Sequence, residues 1–369
     1  MSAIERVAVN LCTHPSVLRS CRRPPGRLHC DPSSLAAMKL NMTHPDVPHI
    51  PVLVEAVLAA LRVSERLAGR FVDGTVGAGG HAAAILAAAP EARLLGLDRD
   101  PAALALARAR LAPFEGRATL HHASYEQMGA LVPAWLEAVG GGGQGVDGIL
   151  LDLGLSSMQV NDPARGFAFM SEGPLDMRFD PSGGGPTAAD LVNTWDAEAL
   201  TEVLFRYGEE RSARRIARAI VAARPLSTTR QLAEVVAGAQ RGPREKIHPA
   251  TRTFQALRIA VNDELGAVER ALPVALDLLR PGGRLAVISF HSLEDRIVKQ
   301  TFKTEAAGCL CPPRQPVCTC GHVARVRLVT RKPERPSAEE IAANPRSRSA
   351  RLRVVERLEG ASALGGEKR

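Results

Sequence analysis

Glycines and acids follow short apolar runs near residue 75, in the order expected of a site for a nucleotide-type cofactor. An apolar run at residues 71–72 leads into Asp73 and then into a glycine-rich stretch at residues 74–80. A second apolar run ends at Asp98, about 20 residues further on, where an acid is placed to bind ribose hydroxyls. Glycines at such a turn let the backbone approach a ligand that side chains would block. The pattern predicts a nucleoside cofactor.

The residues leave the cofactor open between two molecules. Gly77, Gly79 and Ala82 also satisfy the dinucleotide fingerprint, in which the backbone approaches a pyrophosphate at a helix N-terminus. Asp73, beside these glycines, would repel a pyrophosphate but would attract the ammonium or sulfonium of S-adenosylmethionine. The residues therefore favour S-adenosylmethionine over NAD, and a glycine-rich turn with no ligand is the third interpretation.

Strand and helix patterns alternate from about residue 50 to residue 153. Strands are predicted at residues 71–73, 94–97, 118–122 and 146–153. Such alternation predicts an α/β fold with a doubly wound, Rossmann-like parallel sheet, whose ligands lie at the carboxyl ends of the strands. Asp98, Tyr125 and Asp152 should therefore meet the glycine turn in one crevice.

The alternation breaks after residue 160 and resumes with a strand at residues 284–290. Four segments are predicted from this change: a disordered leader or over-long gene start, a catalytic domain in two pieces, an inserted helical domain for substrate recognition, and a cysteine-containing loop with a basic tail. Their expected bounds are residues 1–45, 46–160 with 250–305, 161–249, and 306–369. Met38 or Met42 would then be the native initiator.

Arginines are concentrated in two parts of a chain whose formal net charge is +8. A helix predicted over residues 209–222 carries an apolar face opposite four arginines, Arg211, Arg214, Arg215 and Arg218. Residues 325–369 contain twelve Lys or Arg against six Glu, and they include Arg346 and Arg348. Both sets can bind the phosphates of a nucleic acid through charged hydrogen bonds. A solvated helix face is the alternative for the first set.

Four of the seven cysteines form two close pairs, Cys309 with Cys311 and Cys318 with Cys320. Two thiolate pairs can hold zinc tetrahedrally, although the one-residue gap is tighter than the usual two. Reduced thiols in a flexible loop are the other interpretation, and no metal is assigned to the crevice.

No apolar run approaches the roughly 18 residues that a membrane span needs, and the N-terminus lacks the apolar core of a secretory signal. A cytoplasmic protein with no membrane partner is therefore expected, and a homodimer is left open.

Longer motifs resemble the bacterial small-subunit ribosomal RNA cytosine-N4 methyltransferases. In the order of that family the chain carries HIPVL at 49–53, DGTVGAGGH at 73–81, DGILLDLGLSS at 147–157, GPLDMR at 173–178, YGEER at 207–211, HPATRTFQALR at 248–258, SFHSLEDR at 289–296 and NPRSRS at 344–349. The resemblance covers about residues 48–358. It implies a class I S-adenosylmethionine-dependent methyltransferase with an inserted helical domain, acting on 16S ribosomal RNA of the small subunit. It also implies cofactor contacts at Gly79, Gly80, His81, Asp98, Tyr125, Asp152 and Gln159.

Asp152 is the candidate catalytic residue. A cytosine amine is a poor nucleophile because its lone pair is delocalised into the ring, and an acceptor that takes a hydrogen bond from the amine would draw that lone pair out of conjugation. Asp152, or a backbone carbonyl of residues 153–157, is placed to do so. His291, Ser292 and Asp295 are expected at the crevice rim, where the base could be recognised.

Three rival functions follow from the same features. A nicotinamide oxidoreductase would use the glycine turn for NAD, and a non-enzymatic RNA-binding factor would need only the arginines. A DNA cytosine methyltransferase is disfavoured because the chain lacks the Asp/Ser-Pro-Pro-Tyr type of motif.

Overall fold

The computed structural model describes residues 51–143, 145–240, 248–313, 315 and 317–360. The expected leader at residues 1–45, with Met38 and Met42, lies outside the described residues. Within those ranges, no helix is both long enough and apolar enough to cross a membrane.

Seven strands of the described residues form one mixed sheet. They are β1 (Arg70–Asp73), β2 (Arg93–Asp98), β3 (Ala118–His122), β4 (Val146–Asp152), β5 (Leu279–Ser289), β6 (Val326–Leu328) and β7 (Arg351–Arg357). The order is β3-β2-β1-β4-β5-β7-β6; β1 to β5 are parallel, and β7 is antiparallel to both β5 and β6. The central strand β4 is buried from Val146 to Leu151, as expected for a parallel strand covered on both faces.

Helices connect the strands and form a separate group between β4 and β5. In chain order they are α1 (Val54–Ala60), α2 (Gly80–Ala88), α3 (Pro101–Leu111), α4 (Met128–Ala138), α5 (Ser157–Asn161), α6 (Ala188–Thr194), α7 (Ala197–Gly208), α8 (Ala213–Ala222), α9 (Thr229–Ala239), α10 (Ala250–Asn262), α11 (Glu264–Leu278), α12 (Ser292–Glu305) and α13 (Ala338–Ala343). Helix α3 begins at a capping residue: Asp100 accepts a hydrogen bond of 3.0 Å from the Ala102 N–H, and Pro101 is the first helical residue.

Apolar clusters cover the two faces of the sheet. One cluster packs α1, α2 and α3 against side chains such as Phe71 and Leu150, and the other packs α4, α11 and α12 against side chains such as Val72 and Leu151. Neighbouring residues of one strand fall in different clusters because successive side chains point to opposite faces. The sheet is therefore fixed from both sides, and its carboxyl edge is left free to carry a site.

A third apolar cluster joins helices α6 to α10 and contains no residue of the sheet. The predicted inward face of α8 is observed, since Ala213, Ile216, Ala217 and Ile220 are all buried. The predicted start of this helix at residue 209 is wrong. Glu209 has a φ of +49°, a left-handed conformation that ends α7, and α8 begins only at Ala213.

The expected boundary of the inserted domain at residue 249 stays a prediction. The packing favours extending the helical group further, because α10 contributes Phe254 and Leu257 to the third cluster. The second piece of the catalytic domain is predicted over residues 250–305, and it therefore begins with α10. The apolar contacts of α10 are with the helices of the insertion.

The C-terminal region is more ordered than the predicted basic tail. Strand β7 lies between β5 and β6, with Leu352 and Val354 buried. Two arginines of the predicted phosphate-binding tail are instead paired with one acid: Arg353 Nε lies 2.7 Å from Asp295 Oδ1, and Arg351 Nη1 lies 3.1 Å from Asp295 Oδ2. These arginines stabilise the position of α12 on the sheet.

Candidate active site

A crevice of about 430 Å³ opens at the carboxyl ends of the parallel strands. Its size is in the range of small-molecule sites, and its place is the one at which doubly wound sheets bind ligands. Of the predicted site residues, the crevice wall contains Gly80, His81, Asp98, Tyr125, Asp152, Gln159, His291 and Arg346. The sequence therefore predicts that these residues meet in one crevice, and they come from the ends of all five parallel strands and from the region after β6.

Asp98 is held in place by the glycine turn. The Gly77 N–H donates a hydrogen bond of 2.8 Å to Asp98 Oδ2, and the Asp100 N–H donates one of 2.8 Å to Oδ1. Gly77 has a φ of +52°, which glycine adopts without a steric penalty. Burial raises the pKa of Asp98 while these backbone donors lower it. Each oxygen keeps a further lone pair for a ligand hydroxyl.

Gly79 and Gly80 have different surroundings. Gly79, with a φ of +79°, is not part of the crevice wall, and a Cβ there would lie 3.3 Å from the Cα of Ala107 on α3. Gly80 lines the crevice, and a Cβ there would lie 2.9 Å from the ring of Pro51. Gly79 thus permits close packing of two helices, and Gly80 is the glycine of this pair that faces the crevice.

His81 is a buried, neutral imidazole. Its Nε2 lies 2.8 Å from the carbonyl oxygen of Val52, so this nitrogen donates a hydrogen bond and carries the ring proton. Burial lowers the pKa of His81. Nδ1 therefore has a free lone pair, and it lies 3.6 Å from Asp152 Oδ2.

Two carboxyls, Asp152 in the crevice wall and Asp73 at the end of β1, have raised pKa values and unpartnered oxygens. Burial raises the pKa of Asp152 to about 7, with a contribution from Glu294, and Oδ1 of Asp152 has no hydrogen-bond partner. Burial also raises the pKa of Asp73 to about 7, although His81 and the Thr75 N–H oppose this. Oδ2 of Asp73 is likewise unpartnered. Of the two, only Asp152 lines the crevice, and a cation there would favour the ionised form of both carboxyls, which fits the sulfonium and ammonium of S-adenosylmethionine.

Gln159 and Tyr125 lie in the wall for different reasons. The Gln159 amide is used by the protein: Nε2 donates to Asp100 Oδ2 at 2.9 Å, and Oε1 accepts from the Ser156 N–H at 3.1 Å. Gln159 therefore ties the loop after β4 to the start of α3. Tyr125 stands after β3, and burial together with nearby acids raises the pKa of its hydroxyl, which stays protonated.

Four charged residues of the wall are absent from the sequence-based set of candidates: Arg99, Arg258, Glu264 and Glu294. Arg258 binds Glu264 through two hydrogen bonds of 2.7 and 3.0 Å. Glu294 Oε1 lies 3.1 Å from His291 Nε2, and this neighbour helps to lower the pKa of Glu294 against the effect of burial. Arg258 and Glu294 lie inside two of the quoted motifs. The sequence signal for them is an ionisable residue on a helix face that is otherwise apolar.

Ser292 and Asp295 do not reach the crevice wall. Ser292 donates a hydrogen bond of 3.0 Å to Glu209, whereas Asp295 forms ion pairs with the arginines of β7. His291 alone of the three lies at the crevice, and it also caps α12 by accepting from the Glu294 N–H. Of the three residues, His291 is therefore the one for which base recognition stays a prediction.

The predicted phosphate-binding arginines form two separate groups. Arg211, Arg214, Arg215 and Arg218 are all exposed, and none of them forms an ion pair in the described part of the chain. They do not line the crevice. Arg346 and Arg348 are exposed in the short turn Pro345–Ser349, where Arg346 borders the crevice and donates a hydrogen bond of 2.6 Å to Asn161. Of the six predicted arginines, Arg346 is the one that lines the crevice.

Strand β7 lies between β5 and β6 and is antiparallel to both, and a crevice for a nucleoside opens at the carboxyl ends of the parallel strands. This is the arrangement of class I S-adenosylmethionine-dependent methyltransferases. The predicted fold class is thereby confirmed. The chain belongs to the MraW methylase family, whose family model matches residues 46–358.

Relatives named as methyltransferases agree with this assignment. A ribosomal RNA small subunit methyltransferase H of Thermomicrobium roseum is 56% identical over 314 residues, which cover 84% of this chain and 94% of the relative. Proteins of the same name from Heliobacterium mobile and Oleidesulfovibrio alaskensis are 52% identical over 316 residues and 50% identical over 325 residues. The matches cover 84% and 86% of this chain, and 99% and 98% of these relatives. The family prediction is confirmed, S-adenosylmethionine is the methyl donor, and the NAD alternative is wrong.

Proposed function

We propose that this methyltransferase transfers the methyl group of S-adenosylmethionine to the N4 exocyclic amine of a cytidine in 16S ribosomal RNA. Two facts support the substrate: the relatives carry the name of small-subunit ribosomal RNA methyltransferases, and the motifs resemble the cytosine-N4 family. The observation that carries the chemistry is the unpartnered Oδ1 of Asp152 in the crevice wall.

The proposed cofactor residues divide into those that touch the ligand and those that shape the site. Asp98 offers lone pairs to ribose hydroxyls, Tyr125 offers a ring, and Gly80 with His81 form the start of α2 beside the ligand. Gly79 and Gln159 would act by fixing the turn and the loop after β4. When bound, S-adenosylmethionine supplies an electrophilic methyl group on a positively charged sulfur.

Asp152 would accept a hydrogen bond from the amine of the target base and so increase its nucleophilicity. This needs an ionised carboxylate, whereas burial, with a contribution from Glu294, raises its pKa to about 7 in the unliganded protein. A positive charge in the crevice favours the ionised form. The proton of the amine would pass to Asp152 or to water after methyl transfer, and the neutral Nδ1 of His81 lies 3.6 Å from Asp152 Oδ2 as the next acceptor.

The arginines would hold the RNA around the reacting base. The target cytidine has to leave its stack to enter the crevice, which costs a few kcal/mol and is offset by contacts to the flanking phosphates. Arg346 borders the crevice, so this arginine, together with Arg348 two residues further on, would hold the nucleotides next to the target. Arg211, Arg214, Arg215 and Arg218 would hold phosphates further along the strand. A cytoplasmic location and a homodimer stay predictions.

Methyl transfer to small subunits that lack the modification tests the proposal. Purified protein, labelled S-adenosylmethionine and small ribosomal subunits from a strain without the gene should yield N4-methylcytidine on nucleoside mass spectrometry. Asp152→Asn should lower the transfer rate by about 100-fold or more, because it removes an acceptor at the reacting amine. Glu198→Gln, an exposed substitution at the start of α7, is the matched control and should keep the full rate.

Two outcomes would overturn the proposal. A methyl group on another base or on another nitrogen of cytidine would exclude the proposed reaction. Full activity of Asp152→Ala with unchanged cofactor affinity would remove Asp152 from both of its roles.

A further inference from the structure

Four thiols meet in the loop between α12 and β6. The distances between sulfur atoms are 3.5 Å for Cys309 and Cys318, 3.7 Å for Cys309 and Cys320, 3.6 Å for Cys318 and Cys320, and 3.9 Å for Cys311 and Cys318. All four sulfur atoms lie within 4.8 Å of one another. A disulfide would need about 2.05 Å, so the four cysteines are free.

The spacing of the sulfur atoms matches a metal site. Zinc binds thiolates at about 2.3 Å in a tetrahedron, which places the sulfur atoms about 3.8 Å apart. The four distances above lie within about 0.3 Å of that value. We propose that Cys309, Cys311, Cys318 and Cys320 bind one zinc ion as a closed structural site.

Backbone donors already surround the sulfur atoms. The N–H groups of Leu310 and His322 point to Cys320 Sγ at 3.3 and 3.4 Å. The Cys311 N–H lies 3.3 Å from Cys309 Sγ, and the Thr319 N–H lies 3.4 Å from Cys311 Sγ. Such donors stabilise the thiolates that a metal requires, and they fix the direction of each ligand.

The described part of the loop has no apolar core to keep this shape. Among its described residues from 306 to 325 no side chain is buried, and Leu310, Val317 and Val323 are at least half exposed. A few hydrogen bonds hold it: the Arg325 N–H donates to the carbonyl of Glu305 at 2.8 Å, His322 Nε2 donates to the carbonyl of Thr304 at 2.9 Å, and Gln315 Nε2 donates to Thr319 Oγ1 at 2.7 Å. A segment of this length without an apolar core needs a covalent or metal cross-link to hold one conformation. The thiol cluster stands where that cross-link is needed.

The site is structural rather than catalytic. Four thiolates fill a tetrahedral zinc ion and leave no open position for water or substrate. The cluster also follows the far end of α12, whose 14 residues span about 21 Å from the crevice at His291. Zinc should therefore order the loop and the following strand β6 without entering the methyl transfer.

Metal analysis of the full chain tests the proposal directly. Protein purified without chelating resins should contain close to one zinc ion per chain. Cys318→Ser with Cys320→Ser should abolish zinc binding, whereas serine at the other three cysteines, Cys12, Cys21 and Cys30, is the matched control and should retain it. Cobalt replacing zinc should give thiolate charge-transfer and tetrahedral d–d absorption.

A second measurement separates the site from the methyl-transfer function. Chelation of zinc from the unmodified chain should speed hydrogen exchange in residues 306–328 and leave the affinity for S-adenosylhomocysteine unchanged within about twofold. Zinc far below one equivalent in freshly purified protein, with all seven thiols titratable, would overturn the proposal. So would tetrahedral iron at the cluster, or a disulfide found by mass mapping. Loss of methyl transfer with one zinc ion present would count against the proposed function and not against the zinc site.

Discussion

Gly77 and Asp98 are joined by a hydrogen bond of 2.8 Å from the glycine amide to Oδ2 of the acid. The bond links the turn after β1 to the end of β2 and leaves the carboxylate aligned in the crevice wall. Because Asp100 donates to the other oxygen, both oxygens of Asp98 have to act as acceptors. The acid at this position thus serves the shape of the site and the ligand together.

Asp98→Asn should weaken S-adenosylmethionine binding by about 10-fold to 100-fold. An amide has one acceptor oxygen where the carboxylate has two, and a charged hydrogen bond to a ribose hydroxyl contributes about 1.5–3 kcal/mol. Isothermal titration calorimetry gives the dissociation constant, and thermal unfolding shows how much of the loss comes from the turn. Unchanged affinity in a folded variant would place the ribose elsewhere.

The affinity for S-adenosylmethionine should increase as the pH rises through about 7. Burial raises the pKa of both Asp73 and Asp152 to about 7 in the unliganded protein, and a cationic ligand binds their ionised forms more tightly. S-adenosylhomocysteine lacks the sulfonium charge, so its affinity should change less over the same range. Calorimetry in two buffers of different ionisation enthalpy should also detect protons released on binding. Equal pH dependence for the two ligands would contradict the assignment.

The stability of the unliganded protein should follow the opposite direction with pH. Carboxyls with raised folded-state pKa values bind protons more tightly in the folded chain than in the unfolded chain. Their contribution to the free energy of unfolding is therefore present below the unfolded value of about 4 and is lost as the pH rises toward about 7. Asp152→Asn, which stays neutral, should flatten this dependence in urea titrations.

Gly77 and Gly79 should respond differently to a larger side chain. Both have positive φ, so each substitution carries a backbone cost of about 1–2 kcal/mol. A Cβ at Gly79 meets the backbone of α3 at 3.3 Å, whereas the nearest atom at Gly77 is the Thr75 oxygen at 3.9 Å. Gly79→Val should mainly lower the melting temperature, and Gly77→Val should mainly weaken cofactor binding. Equal effects of both variants on the two quantities would contradict this division.

The crevice could be predicted because its signals are local. A glycine turn after an apolar strand and an acid at the end of the next strand stand within about 30 residues of each other, and the parallel sheet then brings Asp98 and Asp152 together. Strand β7 could not be predicted in this way. Its arginines have the composition of a basic tail, and their burial depends on Asp295, which lies 56 and 58 residues away in sequence from Arg351 and Arg353.

The sequence pattern also gives little indication of three charged residues in the crevice wall. Arg258, Glu264 and Glu294 lie on helices whose patterns predict amphipathic surfaces, and a charged residue on such a helix is usually solvated. They are buried here because each has a partner: Arg258 binds Glu264, and Glu294 accepts from the N–H groups of Phe290 and His291. Arg258 and Glu264 lie on two different helices, so the periodicity of neither helix indicates that they pair, whereas the contacts of Glu294 are local to the start of α12.

The arginine stripe on α8 is expected to bind RNA through its charge. Arg214, Arg215 and Arg218 are exposed and form no ion pairs in the described part of the chain, so each is free to replace a counterion on a phosphate. Changing all three to Ala should weaken binding to the small subunit and reduce the slope of log K against log salt by about 1 for each phosphate that an arginine no longer neutralises. Filter binding over a range of salt concentrations measures both quantities.

Arg206→Ala on the neighbouring helix α7 is the matched control. Arg206 is equally exposed, but its guanidinium is paired with Glu202 at 2.9 Å, so its removal should change the salt slope little. S-adenosylmethionine affinity should stay the same in both variants, because none of these arginines lines the crevice. An unchanged slope for the triple variant would show that α8 presents only a solvated face, and the RNA contacts would then have to come from Arg346 and Arg348 beside the crevice.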